Sequence, residues 1–139
     1  MTTHPTDESA LKRILTAAAV LLWIETVVLL GLGAWLAIDI ISGLSRSLPA
    51  AIALAALVLG AGVWLQFVAK AVPQNHRWAR SAAIFWQTCQ LAVASASFTG
   101  RGANIAIGAA LVVASVAVLA LLFSKPVIAA SRAQLEEKD

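Results

Sequence analysis

Between Ile14 and Ile38 the chain carries a single ionisable side chain, Glu25, in an otherwise apolar run. At a rise of ~1.5 Å per residue this run exceeds the ~20 residues that cross a bilayer core. Hydrocarbon offers no partners to backbone N–H and C=O groups, so a run of this kind is expected to be a helix. A charged side chain near the bilayer centre costs roughly 2.5–3.5 kcal/mol on insertion scales, so residues like Glu25 normally turn inward and find a partner. Two constraints follow: the first segment spans, and another segment must present Glu25 with a polar face.

Three more apolar runs supply candidates. The expected spans are about 14–41, 49–69, 81–98 and 103–123, giving an all-α membrane protein whose transmembrane domain, residues 14–124, is a four-helix bundle. The composition agrees, with 60% hydrophobic and 12% charged residues against the roughly 25% charged of soluble domains. The polar ends, 1–13 and 125–139, read as tails. A secretory signal is a poor description of the first run, which outlasts a signal core of roughly 7 to 15 residues and contains Glu25. Pro49 suits the first turn of the second span, and Pro73 ends it with a turn. Gly31 and Gly33 in span one and Gly60 and Gly62 in span two are small positions at which the two helices are expected to cross. Residues 99–102 form a tight loop, and span four, with Ser115 among its few polar side chains, reads as a wall facing lipid.

Charge placement sets the expected orientation. Eight of the ten Lys and Arg residues lie in the N-terminal tail (Lys12, Arg13), the middle loop (Lys70, Arg77, Arg80) and the C-terminal tail (Lys125, Arg132, Lys138). Arg46 and Arg101 occupy the other two loops. The positive-inside rule therefore places both termini and the middle loop in the cytoplasm, N-in and C-in, in the plasma membrane.

The polar face sought by Glu25 is in the third run. In His76–Gln90, continued to Ser97, the residues Arg80, Gln87, Gln90, Ala94 and Ser97 recur at helical spacing and share one side of a helix. Glu25 lies about 18 Å along span one from Arg13, and Gln90 about 15 Å along span three from Arg80. With both spans rising from the same side, Glu25 can meet Gln87 or Gln90. Trp23 and Trp86 sit at similar depth, where an indole N–H serves as a donor. Two roles are open for this buried polar cluster. It is a protonated or hydrogen-bonded latch between spans one and three, the favoured reading, or a proton or cation carrier site as in pumps.

Trp64 and Trp78 suit a cytoplasmic aromatic belt and Trp35 an outer one. Lys70, His76, Arg77, Trp78 and Arg80 form a basic knot at the cytoplasmic interface, drawn to anionic headgroups at about 1 kcal/mol per basic residue. Scattered between apolar runs, these charges do not make a nucleic-acid surface despite a pI near 9.6. Cys89 is the lone cysteine, which excludes a disulfide within the chain or a Cys-x-x-Cys redox pair, and it is expected to pack in the interior. His4 and His76 are the two histidines, both outside the spans. No catalytic residue, metal site or cofactor is expected, and the sequence holds no phosphate loop, metalloprotease motif or paired carboxylates.

Trp23-Ile24-Glu25, then Arg77-Trp78-Ala79-Arg80, then Trp86-Gln87 with Gln90, resembles a group of small four-span integral membrane proteins common in actinobacterial genomes. The resemblance implies the same architecture over Leu21–Phe123 and carries no activity with it. The chain also looks superficially like the small multidrug-resistance transporters, but it lacks tyrosine and its tails are longer. Its charge bias also disfavours their dual orientation. Four-helix thiol-redox quinone reductases are excluded by the missing paired cysteines. The expectation for function is a non-enzymatic accessory or scaffolding subunit, self-associating or bound to a partner membrane protein. The alternative is a small proton- or cation-coupled transporter using Glu25.

Overall fold

The computed structural model describes residues 5–43, 46–99 and 104–136. Apart from short connections these are helical, with no strand among them: α1 Pro5–Ile41, α2 Leu48–Ala71, a 3-10 turn Val72–Gln74, α3 Arg77–Ser97, α4 Ile105–Leu122 and α5 Lys125–Glu136. Three stretches, Glu8–Ile41, Leu48–Gln74 and Ile105–Leu122, are long and apolar enough to cross a membrane. The third expected span does not join them. It begins earlier than residue 81 and has the length at 21 residues, but its Arg, Gln, Thr and Ser side chains take it below the required apolarity.

Local chemistry explains the boundaries. Pro49 lies in the first turn of α2, where its missing N–H costs nothing. Pro73 lies in the 3-10 turn, and Asn75 closes that turn at φ 57° in the left-handed region, which a short polar side chain tolerates. Asn104 caps α4 by accepting from the Ile107 N–H at 3.2 Å, a bond typically worth ~1 kcal/mol. Gly43, at φ +69°, ends the chain's path out of α1.

Both expected tails differ from what the structure shows. Residues 5–13 continue α1, because no helix breaker separates Pro5 from Ile41, and Leu11 packs against the core. Residues 125–136 form α5, whose Val127 is fully buried. A polar segment with one good apolar anchor reads as a tail in sequence and docks as an amphipathic helix in three dimensions. His4, Arg101, Lys138 and most of the 99–102 loop lie outside the described residues.

α1 packs most extensively on α2 and α3 on α4, making two hairpins. These meet through α1 with α4 and α2 with α3, so α1 and α3 face each other across the diagonal. The core is concentrated at one end. It joins Leu15, Ala18 and Leu22 of α1, Leu65 and Val68 of α2, Ala79 and Ala83 of α3, Val118 and Leu122 of α4, and Val127. Towards the other end Trp35, Ile38, Ile41 and Ile105 stay exposed, as lipid-facing side chains do.

The α1–α2 crossing uses one glycine of each expected pair. A Cβ on Gly33 would sit 2.5 Å from the Leu59 side chain, and one on Gly62 would sit 2.9 Å from Leu30. Gly31 and Gly60 face open space, since residues two apart on a helix point about 200° apart. α4 is not a uniform lipid wall either. Gly108, Ser115, Val118 and Leu122 turn inward, and Gly108 admits the Phe98 ring, which a Cβ would meet at 2.9 Å.

Candidate functional site

Glu25 lies just beyond the apolar core, where the two hairpins come together. Both of its oxygens are taken by α3. Trp86 Nε1 donates to Oε2 at 3.0 Å, Gln87 Nε2 donates to Oε1 at 3.3 Å and Oε2 at 3.2 Å, and Gln90 Nε2 donates to Oε1 at 3.4 Å. Gln87 is fully buried, whereas Glu25 and Trp86 are part-buried. The helix backbones are on the diagonal, so only long side chains close the gap: a glutamate reaching from one side, two glutamines and an indole from the other.

Helical periodicity explains the convergence. Gln87 and Gln90 are three apart and Ala83 and Ala94 continue their stripe, with alanines giving the room in which amides approach the acid. One helical turn from Leu22, Thr26 is buried and donates to the Leu22 carbonyl at 2.9 Å, so its hydroxyl is satisfied within α1 and adds no ligand. Gln87 Oε1 and Ser115 Oγ are buried without a hydrogen-bond partner. For Gln87 this follows from spending its N–H₂ on the acid.

Two tryptophans stand elsewhere than their sequence positions suggest. Trp23 is not among the donors to Glu25; the Lys70 ammonium lies 6.0 Å from its ring centroid, a cation–π distance. Trp64, expected only at the interface, packs on Trp86 at 6.2 Å with planes tilted by 54°, so it buttresses the indole that binds Glu25. The rotational setting of α2 decides this, and depth alone does not reveal it. Cys89 is exposed rather than interior. With Gln87 and Gln90 facing in, the 100° step per residue turns position 89 outward.

The basic knot is split. His76 precedes α3, with Nε2 3.0 Å from Gln74 Oε1, and Arg77 and Trp78 are exposed. Arg80 turns inward: its Nη1 donates to the Val127 carbonyl at 3.4 Å and to the Ser131 hydroxyl. It thereby ties α3 to α5, a contact no spacing rule could indicate. Among the described residues no group of three His, Cys, Asp or Glu side chains could hold a metal. The site can accept hydrogen bonds, hold or release a proton at Glu25, and join two hairpins. No protein-family model, curated protein or solved structure matches the chain.

Proposed function

We propose that the chain is a non-enzymatic, multi-pass protein of the plasma membrane, with four spans and both termini in the cytoplasm, that serves as an accessory or scaffolding subunit. It binds no nucleic acid and needs no cofactor. Its partners are anionic headgroups and either a second copy of itself or another membrane protein. The likeness to the small actinobacterial four-span proteins belongs to the same proposal. In it α3, too polar to insert alone, crosses the membrane because α1 offers its amides an acceptor.

One observation carries the reading: three donors of α3 fill both oxygens of Glu25. A carboxylate saturated by its own protein holds helices together and leaves little room for a transported ion. Replacing Glu25 by Gln preserves an acceptor, so assembly and partner association are expected to survive. A variant that folds and associates normally yet loses a proton-dependent phenotype sinks the scaffold.

The second reading, a proton- or cation-coupled transporter, is favoured by the unpartnered Oε1 of Gln87. Amide rotation would offer that oxygen to a protonated Glu25 or to a cation. It requires solute-driven proton release from purified protein, and a flat response counts against it.

A further inference from the structure

Where α3 begins, Arg77, Arg80, Ser81 and Ile84 of α3 and Ser131 of α5 line a cavity of about 220 Å³. Arg80 is held in place from one side only. Its Nη1 is spent on Val127 and Ser131, while its Nε is buried with no partner. Among the described residues neither Arg77 nor Arg80 is paired with a carboxylate. The hydroxyls of Ser81 and Ser131 already donate to the Arg77 and Val127 carbonyls, so two guanidiniums three residues apart share a concave site with no counter-anion among the described residues, and a part-buried cation without one is costly.

The donor set selects the anion. Two guanidiniums at one cavity suit a group with three or four acceptor oxygens, as in a phosphate, better than a planar carboxylate with two, which a single fork already fills. Ile84, a turn further along α3, adds an apolar side chain to the lining. We infer that this cavity binds one phosphate group, supplied either by the headgroup of an anionic lipid or by free phosphate. The inference rests on the membrane reading above, since the lipid source needs this end of α3 at an anionic surface.

The test uses the full chain in nanodiscs of phosphatidylcholine containing a minority of phosphatidylglycerol, with retained ligands counted by native mass spectrometry. One phosphatidylglycerol per chain is expected. Arg77→Gln and Arg80→Gln each lower its occupancy about tenfold, the scale of one lost charge-assisted pair. Arg77 is exposed, so its replacement does not endanger folding. Lys12→Gln, which removes an exposed charge outside the cavity, leaves occupancy unchanged. Discs of phosphatidylcholine alone, supplied with inorganic phosphate, identify the free ion as the source if a phosphate adduct appears and depends on the same arginines. Retention of neither ligand overturns the site, as does equal loss in Lys12→Gln, which would mean surface charge alone. A chain that fails to enter nanodiscs overturns the membrane reading itself, whereas one that enters and retains nothing overturns the cavity only.

Discussion

Replacing Glu25 by alanine removes the acceptor shared by Trp86 Nε1, Gln87 Nε2 and Gln90 Nε2. In a dry interior each stranded donor costs about 1–3 kcal/mol, while hydrogen bonds between membrane helices average about 0.6 and reach about 1.7 kcal/mol. Gln87, fully buried, belongs near the upper values. Gln90, bound at 3.4 Å, belongs near the lower ones, and the indole falls between. The loss for Glu25→Ala is thus about 2–5 kcal/mol. Glu25→Gln keeps one oxygen at the same reach, so its loss is about 1 kcal/mol or less. The assay is reversible unfolding by dodecyl sulfate in mixed micelles, followed by tryptophan emission and circular dichroism. Glu25→Ala is expected to unfold well before the wild type, with Glu25→Gln close to it. An unshifted Glu25→Ala midpoint, or a Glu25→Gln midpoint as low as that of alanine, refutes the reasoning.

At the α1–α2 crossing, Gly33→Val and Gly62→Val force Leu59 and Leu30 aside and are expected to destabilise by about 1–3 kcal/mol in the same assay. Gly31→Ala and Gly60→Ala, which face open space, should be neutral or stabilising by up to about 1 kcal/mol. Arg80→Ala releases the carbonyl of Val127 and the hydroxyl of Ser131, so backbone amides of Lys125–Glu136 should exchange faster while those of α2 keep their protection. Phe98 fills the notch at Gly108, and Gly108→Leu should weaken the α3–α4 hairpin by a similar 1–3 kcal/mol or so, read as a lower unfolding midpoint.

The polar site was legible because two independent periodicities converge on it. A lone acid in an apolar run demands a partner, and Gln87 and Gln90 at helical spacing and matching depth are the amides able to meet it. Cys89 was expected in the interior and turns outward, a correction those two glutamines already imply, since the face that holds them excludes position 89. Rotational settings were not legible. Whether Trp23 or Trp64 approaches Trp86 depends on which sides of α1 and α2 face inward, and the apolar residues spread around both helices leave that undetermined. α5 was hidden for another reason: its docking depends on Val127 and on the link from Arg80 to Ser131, both of which exist only once distant segments have met. The polarity of α3 was visible from the start, and it is why that helix stands apart from the three apolar enough to span alone.

In the proposed arrangement α3 crosses the membrane with its amides turned to Glu25. In a Cys89→Ser background, single cysteines at Gln74 and Thr99 flank α3, and a membrane-impermeant maleimide added to intact cells reports which side each occupies. Labelling at position 99 with protection at position 74 is the expected result. Equal labelling, or equal protection that persists until the cells are opened, would place both ends of α3 on one side and contradict the account.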